Sequence, residues 1–275
     1  MRASLITDYG ADPFYQMAAD ESLLTLALDT PQEIFLRLYT WLPGAITFGY
    51  NQVADKAVDF SRLGYTPLIR RITGGRALYH DSSELTYAIA FNSSGSPARL
   101  LGSTTAETQS AIARILVAFL NSVGVVADYR KSESPRERSR TRFMAAPCFA
   151  SVSRFELTGR GGKLVASAQR RFGDGVLQHG SIKFNGATSH PALTFTKAVH
   201  NETLSPLPRN DFTVLCEKYA EAFVATTGLP VSARSFSETA LALIRSRRET
   251  VLKNPLDRRD IFKQTAYSNS LLLGA

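Results

Sequence analysis

The sequence predicts an α+β protein, a largely antiparallel or mixed β-sheet flanked by helices, on three observations. Apolar residues recur at helical spacing in some segments and alternate, or run unbroken for the length of a strand, in others. The two kinds of segment are interleaved without an internal repeat, which sets aside solenoids and tandem arrays. The 275 residues are 44% hydrophobic and 20% charged, enough apolar material to bury a core and too much for a disordered or fibrous chain.

Phe14, Met17, Ala18, Glu21, Leu24 and Leu28 set a mostly apolar face at helical spacing, with Asp12-Pro13 as cap and first-turn proline, and predict a first helix. Ile34 to Trp41 alternates and reads as a strand, Leu42-Pro43-Gly44 as a turn and Ala45 to Phe48 as a second strand, together a hairpin. Pro67 to Ile72 is a third strand running into Thr73-Gly74-Gly75, and Leu85 to Phe91 a fourth, apolar enough for burial on both faces. Thr104 to Ser122 carries Ile112, Ile115, Leu116, Phe119 and Leu120 on one helical face and ends at Gly124. Arg130 to Arg142, arginine-rich and without a large apolar residue, is a solvated loop. Ser151 to Leu157, Lys163 to Arg171 and Val176 to Phe184 then form an antiparallel meander punctuated by glycine turns. Beyond Pro191 the pattern is helical: Asp211 caps a run with Phe212, Leu215, Cys216, Tyr219 and Phe223 on one face, and a further helix runs from Ser237 to about Leu252. The domain expectation is a core over 1–190, extending to about 230, with 191–275 a helical extension packed on it.

Several function classes are excluded. No apolar run is long enough to span a bilayer, and the first ten residues lack the apolar core and cleavage site of a secretory leader, so a cytoplasmic protein is expected. Cys148 and Cys216 are too few for a disulfide framework and have no zinc-ligand spacing, so no structural metal is expected. Lys and Arg number 32 against 24 Asp and Glu, a net charge of +8, which suits an acidic partner. No zinc finger, RNP signature or aromatic-interleaved basic stripe is present, so that partner is not read as nucleic acid.

Two glycine-rich stretches fail as nucleotide loops. Gly159 to Lys163 lacks the upstream glycine of a P-loop and has Leu164 where Ser or Thr must hold magnesium. Arg70-Arg-Ile-Thr-Gly-Gly-Arg76 lacks GxGxxG and opens no helix. What Gly74-Gly75 at a strand end does offer is backbone that a ligand can approach without meeting a Cβ.

The blocks Leu38-Tyr-Thr-Trp41 to Phe48-Gly-Tyr-Asn-Gln52, Arg70 to His80 with Glu84-Leu-Thr-Tyr87, Pro147-Cys148-Phe149, Gly162-Lys163 to Gln169-Arg-Arg171 and Leu177-Gln-His-Gly-Ser-Ile182 resemble the lipoate and biotin protein ligase superfamily. In their order and spacing they cover about residues 13 to 185. The resemblance implies that superfamily's catalytic-domain fold, in which a sheet cradles an acyl chain. Within it the chain looks most like the cysteine-dependent protein N-octanoyltransferases of lipoate biosynthesis. Gly74-Gly-Arg76, where many lipoate ligases carry a third glycine, and the cysteine of Pro147-Cys148-Phe149 carry that likeness.

By this resemblance octanoyl moves from acyl carrier protein to a lysine of a lipoyl domain, such as glycine cleavage H protein or a dehydrogenase subunit. Cys148 is then the thioester-forming nucleophile and Lys163 the ammonium that favours its thiolate. That pairing is chemically sound, because a free thiol near pKa 8.5 is only a few per cent ionised at neutral pH. The implied substrate-binding residues are Arg70, Arg71, Thr73, Gly74, Gly75, Arg76, His80, Ser167, Ala168, Gln169, His179 and Gly180. His80 and His179 are placed in the pocket wall rather than in catalysis. The three arginines are open between holding a phosphate and pairing with surface carboxylates. Burying six or seven methylenes of an octanoyl chain contributes about 5 kcal/mol of binding. The 130–142 loop is expected to dock the acidic carrier, while Cys216, on an apolar helix face, is a core residue. No cofactor is needed. The alternatives are an ATP-dependent lipoate-protein ligase, a lipoyl-domain amidotransferase and a non-catalytic lipoyl-domain binder.

Overall fold

The computed structural model describes residues 1–129, 157–159, 162–184, 188–193 and 205–257. The 130–142 loop, Cys148 and all but the last residue of the strand expected at 151–157 lie outside them.

An eight-stranded sheet forms the middle layer. It comprises β1 (Arg2–Ala11), β2 (Glu33–Trp41), β6 (Leu85–Asn92), β7 (Asp128–Tyr129), β8 (Leu157–Gly159), β9 (Gly162–Phe172), β10 (Gly175–Ile182) and β11 (Val231–Ala233), ordered β11-β1-β2-β6-β10-β9-β8-β7. β1 runs parallel to β11 and β2, and every other neighbouring pair is antiparallel. β3 (Ala45–Phe48), β4 (Leu68–Arg70) and β5 (Leu78–His80) form a separate sheet in the order β4-β3-β5.

The period of two along each strand sorts the core into two layers. Ile34, Leu36 and Leu38 of β2 and Leu85, Tyr87, Ile89 and Phe91 of β6 face α4 (Thr105–Ser122) and α5 (Arg209–Thr227). Phe35, Tyr39 and Trp41, with Ala88 and Ala90, face the other way, onto α1 (Pro13–Asp29) and α6 (Glu238–Lys253). Every residue of β6 is buried, as its unbroken apolar run predicts. Two minor helices, α2 (Ala54–Ala57) and α3 (Ala98–Leu101), sit in connections.

The cap signals hold. Asp12 accepts from the Phe14 and Tyr15 amides, Thr104 and Glu107 form a capping box on α4, and Ser237 caps α6. Several expectations are corrected. β2 and β3 are not a hairpin, because the Leu42–Gly44 segment leaves the large sheet and β3 pairs instead with β4 and β5. β5 interrupts the stretch read as a turn between the third and fourth strands. Asp211 lies inside the first turn of α5, which begins at Arg209 after Pro208. β1 and β11 join the large sheet where no strand was read, and β11 makes the segment after residue 190 more than helical.

Candidate active site

A cleft of about 410 Å³, part of it open to solvent, lies between the two sheets. Its floor is a row of register neighbours across four strands, Tyr39, Thr86, Ser181 and Ala166, with His179 and Ala168 forming the next row. The small side chains of Ser181, Ala166 and Ala168 leave the space, and Met17 of α1 lines it beside Tyr39 and Trp41. The small sheet and the turn after it supply the facing wall, Thr47, Leu78, His80, Arg71 and Gly75. Gly75 of the glycine turn, which sits against Ala168 of β9, is exposed while Tyr39 and Trp41 of β2 are buried, so the cleft runs across the strands from a mouth over β9 to a closed inner end over β2. Its lining is predominantly apolar.

Glycine is required at two of these positions. Gly75 adopts φ +94°, a conformation that other residues rarely take. A Cβ on Gly180 would lie 2.8 Å from the Tyr87 ring and 2.9 Å from Ser167 Oγ, in the way of the 2.8 Å Tyr87–Ser167 hydrogen bond that ties β6 to β9 across β10.

Each wall carries a hydroxyl–imidazole–carboxylate chain. On the small-sheet side His80 Nδ1 lies 2.7 Å from Glu84 Oε1 and Nε2 lies 2.8 Å from Thr47 Oγ1. The Trp41 indole stacks on the His80 ring at 4.1 Å and donates to Thr86 Oγ1, which in turn donates to Glu84. On the large-sheet side His179 Nδ1 lies 2.8 Å from Asp20 Oδ2 and Nε2 lies 2.7 Å from Thr73 Oγ1. Asp20 also accepts from Tyr39 and from Arg37, a fully buried guanidinium that further pairs with Asp8 and Gln16.

Burial raises the Asp20 carboxyl, but the His179 hydrogen bond and the Arg37 charge outweigh it and hold it below the usual carboxylate range. Burial of Glu84 is likewise outweighed, by Lys183 at 2.8 Å and by His80, so it too stays ionised. The Lys183 ammonium, almost fully buried, is kept charged by Glu84 and by Asp81 at 2.7 Å. Burial lowers His80 below the usual histidine value. A neutral imidazole that donates through Nδ1 to Glu84 and accepts the Thr47 hydroxyl at Nε2 satisfies all three groups.

Of the residues singled out in the sequence, Arg71, Gly75, His80, Ser167, Ala168, His179 and Gly180 line the cleft. Thr73 backs His179 from behind the wall. Arg70 is buried and donates to the carbonyls of Tyr50, Gln52 and Leu256, while Arg71 donates to those of Thr47, Gly74 and Arg76, so both act as clamps on backbone turns. Gly74 and Arg76 belong to the turn so clamped, outside the lining. Gln169 turns to the opposite face, bonded to Gln178. Lys163 is buried as the second residue of β9 and is not among the lining side chains. Cys216 is a core residue of α5, its thiol pushed up to about 12 by burial. Met17, Asp20, Tyr39, Trp41, Thr47, Leu78, Thr86, Ala166 and Ser181 were not singled out. The available signals were polar residues inside apolar elements, Asp20 in the first helix and Arg37 in the first strand read.

Residues 12–208 match the lipoyl protein ligase A/B catalytic domain family. The chain is 36% identical over 232 residues to octanoyltransferase LipM of Kyrpidia tusciae, covering 82% of this chain and 79% of that one. It is 39% identical over 169 residues to octanoyltransferase LipM of Carboxydothermus hydrogenoformans (60% of this chain, 59% of that) and 34% over 175 residues to that of Staphylococcus aureus (62% of each). The chain thus spans about three-fifths of the length of the last two relatives. Among solved structures, lipoate-protein ligase A bound with ATP superposes with a TM-score of 0.68 at 17% identity, covering 90% of this chain and 95% of that one. A bipartite lipoate protein ligase from Thermoplasma acidophilum superposes at 0.61 and 18% identity, covering 90% and 92%. At these identities the likeness is one of fold.

Proposed function

The chain belongs to the lipoyl protein ligase A/B catalytic domain family, and from that premise we propose that it is an octanoyltransferase of lipoate biosynthesis, moving octanoyl from acyl carrier protein to a lysine of a lipoyl domain. One observation carries the reading. Residues 12–208, which match the family, hold every residue that lines a predominantly apolar cleft between the two sheets, closed at its inner end as an alkyl chain requires.

In the proposed mechanism the Cys148 thiolate adds to the thioester carbonyl, the bond to the carrier's sulfur breaks, and the carrier leaves as a free thiol. A lipoyl-domain lysine then attacks the acyl-enzyme, its amine loses a proton, and Cys148 is released. Lys163 is proposed to favour the thiolate in both half-reactions. The donor is already a thioester and the product an amide, so the transfer runs downhill without ATP or any other cofactor. The arginine-rich segment 130–142 is proposed to meet the acidic carrier, with attraction that weakens as salt rises. No helix among the described residues is long and apolar enough to cross a membrane, and a cytoplasmic setting is part of the proposal.

The test is a transfer assay on the full chain with octanoyl acyl carrier protein and a lipoyl domain such as glycine cleavage H protein, without ATP. The expected result is a lipoyl domain heavier by one octanoyl group. Modification only with free lipoate and ATP would make the protein a ligase. Transfer only from an already octanoylated lipoyl domain would make it an amidotransferase, and binding without transfer a non-catalytic partner.

A further inference from the structure

Nearly every polar side chain that faces the cleft has its hydrogen-bonding capacity committed inside the protein. Thr86 is held by Trp41 and Glu84, Thr47 by His80 and Arg71, His179 by Asp20 and Thr73, and His80 by Glu84 and Thr47. Ser181 is different. It lines the cleft at 1% exposure, and among the described residues its Oγ has no hydrogen-bond partner. Ala166 and Thr86 are its register neighbours on β9 and β6, one with no side-chain donor or acceptor and the other already engaged.

Leaving a buried hydroxyl without a partner is destabilising, and a native fold carries few such groups without a reason. A trapped water is a poor partner here, because it needs two to four polar contacts and the surrounding groups are engaged. A saturated acyl thioester, in contrast, has one good hydrogen-bond acceptor, its carbonyl oxygen. One uncommitted donor in an otherwise apolar or self-satisfied cleft matches one acceptor on an alkyl chain.

We propose that the Ser181 hydroxyl donates a hydrogen bond to the carbonyl oxygen of the acyl group held in the cleft. Addition of a nucleophile forms a bond at that carbon and shifts the π pair onto oxygen. Collapse breaks the carbon–sulfur bond, the pair leaving on sulfur, which takes up the proton that the attacking thiol or amine has given up. The hydrogen bond strengthens as charge builds on oxygen, which makes Ser181 a catalytic residue for the reaction proposed above. The assignment rests on that reading, and it adds a residue to it.

The experiment compares the wild type with Ser181→Ala and Ser181→Thr. Ser181→Ala lowers kcat/KM for octanoyl transfer roughly ten- to a hundredfold, while Ser181→Thr, which restores a hydroxyl, keeps most of it. In isotope-edited infrared spectra with a carbonyl-labelled octanoyl thioester, the bound carbonyl stretch rises in Ser181→Ala relative to wild type. Thermal melting of Ser181→Ala is unchanged or higher, since only an unpartnered group is removed, and a merely structural serine would not combine retained stability with lost turnover. An active wild type with Ser181→Ala equal to it in rate and carbonyl frequency overturns the Ser181 assignment alone. A wild type that transfers no octanoyl overturns the functional reading, and the assignment with it.

Discussion

His80 takes its carboxylate from four residues along its own chain, Glu84 at 2.7 Å, whereas His179 takes its from another layer of the molecule, Asp20 of α1 at 2.8 Å. The two walls of the cleft thus present similar chemistry, an imidazole between a threonine hydroxyl and an ionised carboxylate, with opposite wiring. On the Glu84 side the dyad is closed within the β5–β6 connection, with Thr86 two residues on, and its charge is balanced by Lys183 just past β10, itself anchored to Asp81 and Thr188. The Asp20 side joins three separate elements, because Asp20 also holds Arg37 and Tyr39 of β2. The difference teaches that an outwardly equivalent dyad serves as a turn brace on one wall and as a tie between helix and sheet on the other.

Matched isosteric substitutions expose that contrast. Asp20→Asn leaves the fully buried Arg37 with Asp8 as its remaining carboxylate and disrupts a tie between layers, so the expected loss is about 3 kcal/mol or more of global stability in chemical denaturation. Glu84→Gln keeps a carbonyl for His80 and leaves Lys183 paired with Asp81, so about 1–2 kcal/mol is expected. Hydrogen exchange should then quicken mainly in β5 and the turn that follows it. Equal losses and a uniform rise in exchange would erase the distinction between the walls.

The pH dependence sharpens it further. Asp20 and Glu84 have folded values below their unfolded ones, so the stability they contribute is present above about pH 5 and drains as pH falls below about 4. His80 also titrates lower in the folded protein, so the unfolded chain takes up a proton first as pH falls. Stability is therefore full above about pH 7 and declines below it until the folded histidine also protonates. The half-buried His190 acts in the same sense. His80→Gln should flatten the slope of stability between about pH 7 and 5.5, measured by denaturation at fixed ionic strength, and an unaltered slope would mean that His80 is not depressed.

The same contrast between local and distant assembly explains what could be read in the chain. α1, α4 and α6 were legible because a cap residue and a 3.6-residue period are local signals, as was β6, whose unbroken apolar run needs no partner to be recognised. The hairpin reading failed because Leu42-Pro43-Gly44 has turn chemistry whichever sheet the chain enters next. β1 was missed because Asp8 and Gly10 interrupt its alternation, and β5 and β11 because three residues carry too little pattern. In the site, the glycine turn and the Leu177–Ile182 strand were found from their motifs. Met17, Tyr39 and Trp41 were not, since in one dimension they are ordinary core positions and only the packing of α1 and the small sheet turns them into the inner end of a cleft. Ser181 stood inside a quoted motif, but its missing partner is visible only in three dimensions.

The most direct measurement of the central claim is intact-protein mass spectrometry after mixing the full chain with octanoyl acyl carrier protein in the absence of ATP. The account predicts a single octanoyl adduct, labile to hydroxylamine, that persists in Cys216→Ala and is lost in Cys148→Ala. An adduct that survives Cys148→Ala, or an unmodified protein that instead forms an adenylate from ATP and free lipoate, would contradict it.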